Sequence, residues 1–305
     1  MADRGAVTED GFSRRGLMAT ALSAGLFALA GCDRKSATEA PAAPDAPEGP
    51  SVGSLDWAVA GPWRAKDRAR DAWRHPIETL RFFGLQPRMT VVEMWPGSGW
   101  YTEILAPYLA KGGGKYVAAL FAQGPGGDPS QAALNAAFQD HFTSDRKLYG
   151  PIEMSAFGAL TGPLTEAGSA DMVLFLRTVH SWMASGLAEK AFADAFAALR
   201  PGGVLGIEQH RLGPEDNQDP AAANGYVQEA FVKQLAAEAG FVFVAASEIN
   251  ANERDSKDHP FGVETLAPRR LTAPAGEPPN PGFDRTKFDA IGESDRMTLK
   301  FRKPE

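Results

Sequence analysis

Cysteine is nearly absent from this chain: among 305 residues there is one, Cys32. A disulfide within the chain is therefore excluded, and because Cys32 falls in an N-terminal apolar segment, thiolate chemistry in the folded part is excluded too. Histidine is scarce as well, so the candidates for imidazole chemistry are His75, His141, His180, His210 and His259. Basic residues are outnumbered, 31 Lys+Arg against 38 Asp+Glu, and the net charge is −7. No basic patch stands out, which argues against a nucleic-acid partner, because neutralising phosphates requires clustered Lys and Arg. A small-molecule partner fits better. The apolar run at 17–30 falls short of the roughly 20 residues that a membrane-spanning helix needs.

What is there begins with a targeting device. Ser13-Arg14-Arg15-Gly16-Leu17-Met18 sets paired arginines before the apolar run, which ends in Leu29-Ala30-Gly31-Cys32. The arginine pair resembles a twin-arginine export signal, and the end of the run resembles a bacterial lipoprotein cleavage box. These resemblances imply a signal over 1–32, lipid attachment at Cys32 and export. Asp33 then leans the anchored protein towards the periplasmic side of the inner membrane. Membrane contact would come through the lipid alone. Residues 33–54, with Pro41, Pro44, Pro47 and Pro50, bury too little apolar surface to fold and read as a disordered tether. The folded domain is expected over 55–305.

Within it, 67–85 reads as helix, broken at His75-Pro76, where Pro can open a new helix. Residues 90–94 form a short β-branched run, Pro96-Gly97-Ser98-Gly99 a turn, and 100–110 a helix. Strand, glycine turn and helix make the opening unit of a doubly wound fold. A strand at 115–121 and a helix at 131–139 follow. The run at 170–176 is almost continuously apolar, as in a parallel strand buried on both faces. A helix at 187–199 is broken by Pro201-Gly202-Gly203 before a strand at 204–208. A helix at 227–239 is closed by Gly240, and strands at 241–247 and 297–302 end the pattern. The segment 250–295 is long for a connection; it reads as a lid or binding element, or else as a partly disordered insertion.

Val91-Val92-Glu93-Met94-Trp95-Pro96-Gly97-Ser98-Gly99 resembles the first motif of class I S-adenosylmethionine (SAM) methyltransferases, an acidic residue before a glycine-rich turn. Leu199-Arg200-Pro201-Gly202-Gly203-Val204-Leu205 resembles their approach to the fifth strand. Several phrases are similar to a family of exported bacterial predicted methyltransferases: Asp67-Arg68 with Arg74-His75-Pro76, Arg177-Thr178-Val179-His180-Ser181-Trp182, Glu208-Gln209-His210-Arg211, and Ser294 to Phe301. The resemblance covers about 65–303. It implies an α/β fold, a doubly wound Rossmann-like seven-stranded mixed sheet, with an N-terminal helical segment and a lid-like insertion before the last strand. It further implies SAM as cofactor, held around Glu93, Trp95, Gly97 and Gly99, and methyl transfer to an unidentified small-molecule acceptor. Two positions depart from the family pattern. Trp95-Pro96 stands where a glycine-containing pair is usual, and the strand at 116–121 ends without the acidic residue that holds the ribose hydroxyls.

Ligands of open α/β sheets bind at the carboxyl ends of the strands. His180 and His210 each follow a strand, so both are expected in one cleft beside the glycine turn. One would serve as general base, since imidazole titrates near neutral pH. Arg177 and Arg211 would orient an anionic acceptor. Alternatively, His180, Glu208 and His210 hold Zn or Fe in a repurposed fold that transfers no methyl group; no spacing here is a recognised metal signature, and metal is not expected. His75 reads as part of the helix break, His141 as solvated, and His259 as part of the lid. Trp95 and Trp182 line a pocket or belong to the core.

Overall fold

The computed structural model describes residues 49–124 and 127–305. The expected export signal, Cys32 and most of the expected tether lie outside the described residues. Among the described residues, no helix is long and apolar enough to cross a membrane.

Three short helices open the fold. Ser54 caps α1 (Leu55–Ala60) by accepting from the Trp57 N–H at 3.0 Å. Helix α2 (Asp71–Arg74) stops at His75, whose φ of 38° is left-handed, and Pro76 then starts α3 (Pro76–Phe83) in the first-turn position where a missing N–H costs nothing. The break expected at His75-Pro76 is therefore real. The αβ alternation follows: β1 (Thr90–Met94), α4 (Thr102–Gly112), β2 (Lys115–Phe121), α5 (Pro129–Ser144), α6 (Arg146–Tyr149), β3 (Ile152–Phe157) and β4 (Ala170–Leu176). After β4 come α7 (Val179–Ala184), α8 (Ala188–Ala198), β5 (Leu199–His210), α9 (Glu229–Glu238), β6 (Val242–Ser247), α10 (Thr286–Ile291) and β7 (Arg296–Arg302).

The strands form one seven-stranded sheet in the order β3-β2-β1-β4-β5-β7-β6. Strands β1 to β5 pair in parallel, and β7 runs antiparallel to both β5 and β6. This is the mixed, doubly wound Rossmann-like sheet expected of a class I methyltransferase fold. Side chains alternate between its faces, so β1 sends Val91 into a core with Leu80, Phe83, Ile104 and Leu105, and Val92 into another with Phe175, Phe192 and Leu205. Each fully buried Leu or Phe adds about 1.5–3 kcal/mol. Both layers thus pin the carboxyl ends of β1, β4 and β5 to one rim.

Three local differences from the sequence expectation have physical causes. Strand β3, absent from the sequence expectation, is an edge strand in which Ile152, Met154 and Ala156 alternate with Glu153 and Ser155; this short period-2 run stands out less than the apolar strands beside it. Strand β5 starts before Pro201-Gly202-Gly203, because Leu199 already pairs with Ala170 and the glycines are absorbed in a register shift ahead of the Val204–Met172 pair. The 250–295 insertion is ordered and tied at both ends. Asn250 donates to Thr79 (2.9 Å) and Thr298 (3.0 Å), and the buried Asp255 carboxylate accepts from Tyr226, from His259 and from the backbone N–H groups of Lys257 and Asp295.

Candidate functional site

At the carboxyl rim, the turn after β1 opens on a cavity of about 450 Å3 lined by Trp95, Pro96, Gly97, Ser98, Phe121 and Gln131, and by Arg70, Arg74 and Arg177 on its other side. That volume lies within the about 300–1,000 Å3 typical of small-molecule sites. Gly97 has a φ of 60° and open space where a Cβ would point, whereas a Cβ on Gly99 would meet the Phe142 ring at 2.2 Å. Gly97 therefore keeps the cavity floor clear, and Gly99 lets α4 pack against α5.

Trp95 also sits at positive φ, 51°. Its indole donates to the Phe157 carbonyl at 3.1 Å and lies against Phe121 with centroids 4.7 Å apart. Trp95 is thus half core and half cavity wall. Trp182, by contrast, is wholly core. No carboxylate closes the end of β2; instead the Asn135 amide from α5 donates to the Phe121 carbonyl at 2.8 Å and accepts from its N–H at 3.2 Å.

Glu93 points away from this cavity, under α4. Its carboxylate accepts from Tyr116 (2.6 Å) and Thr102 (3.1 Å) and is only 2% exposed. Burial pushes its pKa up to about 7, against the opposing effect of those hydrogen bonds. It braces the strand from which the glycine turn leaves. The resemblance had it touching the cofactor directly.

His180 and His210 do come together, from α7 and the end of β5, with ring centroids 5.3 Å apart. Both line a smaller cavity of about 180 Å3, which shares Arg74, Arg177 and Pro268 with the first. A third, of about 700 Å3, shares His180, Val263 and Glu264 with the second and is walled by the insertion. His210 Nδ1 lies 2.6 Å from the Ser294 hydroxyl, and His180 Nδ1 lies 3.2 Å from the Gln209 amide nitrogen. Burial lowers the pKa of both; His180 falls to about 4 and His210 well below its ordinary value. Both rings are therefore neutral near pH 7, and the burial that keeps them neutral also makes them weak bases; His180 Nε2 lies 3.2 Å from the Ser181 hydroxyl.

Glu208 does not join them. Its carboxylate, fully buried, accepts from Arg177 (2.9 Å) and Tyr101 (3.1 Å) and pairs with Arg296 at 2.8 Å. These contacts engage both of its oxygens with cations or donors, and among the described residues no group of three His, Cys, Asp or Glu side chains could hold a metal ion. The triad of His180, Glu208 and His210 is not assembled.

Arg177 is itself in the left-handed region at φ 64°, and its N–H donates to the Glu208 carbonyl at 2.7 Å. Burial is the largest single effect and works against its charge, but Glu208, Tyr101 and Glu293 together outweigh it and hold the guanidinium above its ordinary pKa. Arg211 lies elsewhere. It is clamped by Asp295 and Glu248 and lines a separate cavity of about 540 Å3. His75 lies in the helix break, 3.4 Å from Asn250; His141 is exposed on α5; His259 is buried against Asp255 within the insertion.

Sequence reasoning missed the rest of this wall. Arg70 and Arg74 both bind the Glu293 carboxylate, at 3.0 and 2.9 Å, and Arg296 binds it at 2.7 Å. Arg74 and Arg296 stand inside phrases that carried the family resemblance, which was the only signal for them.

No protein-family model matches the chain, and no curated protein matches it. Solved structures do. A SAM dependent methyltransferase from Aquifex aeolicus is 18% identical with a TM-score of 0.48, the match covering 62% of this chain and 90% of that one. The [4+2]-cyclase SpnF is 16% identical with a TM-score of 0.48, covering 76% and 81%. CrArsM, an arsenic (III) S-adenosylmethionine methyltransferase from Chlamydomonas reinhardtii, is 16% identical with a TM-score of 0.42, covering 71% and 64%.

Proposed function

We propose that this chain is a SAM-dependent methyltransferase acting on a small-molecule acceptor. The observation that carries the reading is a juxtaposition: a glycine turn at the end of β1 walls a cavity of about 450 Å3 that shares Arg74, Arg177 and Pro268 with the cavity of two neutral histidines. The residues present suit the cofactor. Gly97 leaves the floor open, Phe121 and Trp95 offer aromatic faces for an adenosyl group, and Thr178, Ser181 and Gln131 supply hydrogen-bonding groups. With no acidic residue at the end of β2, the ribose hydroxyls would rely on neutral partners such as Gln131.

When bound, SAM supplies an electrophilic methyl group on a sulfonium. The chain's own part is to hold the acceptor in line and to remove its proton. His180, neutral above about pH 4 and lining both the second and third cavities, is the general base. His210 shapes the pocket beside it, held by Ser294. The insertion covers the acceptor side through Val263, Glu264 and Pro268.

The test is calorimetric titration of SAM and of S-adenosylhomocysteine into the chain. Binding that the Glu93→Gln variant retains and a bulky Gly97→Leu variant loses supports this reading; a folded sample that binds neither ligand overturns it. We further infer export and lipid anchoring at Cys32 on the periplasmic side of the inner membrane. Metabolic labelling with a palmitate analogue that a Cys32→Ala variant still incorporates would rule the anchor out.

A further inference from the structure

The wall between the first two cavities carries more positive charge than the protein neutralises. Arg70, Arg74, Arg177 and Arg296 are joined there to two carboxylates, Glu208 and Glu293. Four guanidiniums against two carboxylates leave two positive charges uncompensated. Arg74 is 3% exposed, Arg296 1% and Arg177 16%, and Arg70 is the most open at 25%, so water reaches this excess mainly from the cavity side. Holding unpaired charge in such surroundings is costly, and a partner of opposite sign removes the cost.

The donors for that partner are in place. Arg74 engages Glu293 only through Nε, and Arg177 engages Glu208 only through Nη1. Among the described residues, both Nη groups of Arg74 and the Nε and Nη2 of Arg177 have no hydrogen-bond acceptor, and both residues line both cavities. The Arg74 guanidinium lies over the Trp100 ring, 4.8 Å from its centroid, which fixes its plane. Beside them the Thr178 hydroxyl, on a buried residue that lines the first cavity, is also unpartnered. Paired planar forks of this kind match a carboxylate or a phosphate.

We propose that Arg74 and Arg177, supported by Arg70, form an anion subsite for a carboxylate or phosphate group of the acceptor. This rests on the methyltransferase reading for the word acceptor, and on charge and geometry alone for the anion. Arg74 and Arg177 also line the small cavity that holds His180 and His210, where Arg269 is paired with Glu264 at 3.4 Å and Glu293 is already bound by the arginines. An anionic group held by the two forks places the rest of its molecule against His180. The other source of the same chemistry is the carboxylate of SAM itself.

The experiment measures thermal stabilisation of the full chain by sodium phosphate and by sodium succinate, against sodium chloride at matched ionic strength. Each is run with and without saturating S-adenosylhomocysteine. The subsite predicts saturable stabilisation by at least one anion, unchanged by S-adenosylhomocysteine. Arg74→Gln should weaken it by about tenfold or more, with an unchanged circular dichroism spectrum and a cooperative melt as the signs of an intact fold. Arg70→Gln, which leaves Glu293 paired with Arg74 and Arg296, gives a milder loss and serves if Arg74→Gln does not fold. Competition between the anions and S-adenosylhomocysteine would assign the forks to the cofactor's carboxylate and overturn the proposal. Stabilisation no greater than with chloride would overturn it as well. Anion binding that needs Arg74 in a protein that ignores S-adenosylhomocysteine supports the subsite and fails the methyltransferase reading instead.

Discussion

At the scale of single residues, Glu93 shows how the rim is made sensitive to pH. Its carboxyl is buried between Tyr116 and Thr102, and its pKa rises from 4.5 to about 7 on folding. A carboxyl raised in the folded state binds its proton more tightly there than in the unfolded chain. Its contribution to stability is full below the unfolded value and is lost as pH rises through about 7. The swing is on the order of 3 kcal/mol. Glu103 is shifted in the same direction, so the wild-type slope is not Glu93's alone. Glu93→Gln should therefore flatten, without abolishing, the fall in stability between pH 5 and pH 8, as read by urea unfolding at both ends; an unchanged slope would refute the assignment. His180 supplies a second residue-scale expectation. As a base with its pKa lowered to about 4, it stays neutral across the ordinary range, so its own ionisation puts no inflection near 6.5 into the pH–rate profile. His180→Ala should cut kcat about 10²–10⁴-fold with S-adenosylhomocysteine affinity unchanged. An equal loss of affinity would place the ring in the cofactor site instead.

At the scale of elements, the two glycines of the turn after β1 separate packing from binding. Gly99→Ala drives a methyl into Phe142 and should cost about 2–4 kcal/mol in stability. Gly97→Ala meets no atom and should cost about 1 kcal/mol, mainly from its positive φ, while weakening cofactor binding more than Gly99→Ala does. Paired denaturation and titration of the two variants check this; the reverse ranking would contradict it. The insertion gives a third test. Asp255 gathers Tyr226, His259 and two backbone N–H groups in a buried knot, so Asp255→Ala should destabilise by about 3–5 kcal/mol and loosen 250–295 in hydrogen exchange.

These elements also show what was legible beforehand. Strands β1, β2 and β4 are mostly apolar or β-branched runs, and the residues expected for them coincide with those observed. The turn chemistry of Pro76, Gly97 and Gly240 likewise marked real boundaries. Strand β3 and helix α7 stayed hidden because each is only six residues long; β3 does alternate apolar with polar residues, but without the apolar run that marks its neighbours. The pairing of His180 with His210 followed from strand-end logic. The arginine wall did not, since Arg74 and Arg177 meet carboxylates 219 and 31 residues away. Glu208 read as a metal ligand for the same reason. Beside it in the sequence stand Gln209 and His210, but beside it in space stand Arg177, Arg296 and Tyr101.

At the scale of the whole molecule, a doubly wound sheet brings the ends of β1, β4 and β5 to one rim, and the tied insertion roofs the part nearest the histidines. The net charge of −7 makes the arginine wall the exception on this chain, which fits selective capture of an anion better than general attraction of one. The central claim is that the cavity beside the glycine turn takes an adenosyl cofactor. Calorimetric titration of S-adenosylhomocysteine tests it most directly. The account predicts saturable one-to-one binding with micromolar affinity, retained in Glu93→Gln and lost in Gly97→Leu. Absence of any binding by a sample shown to be folded would contradict it.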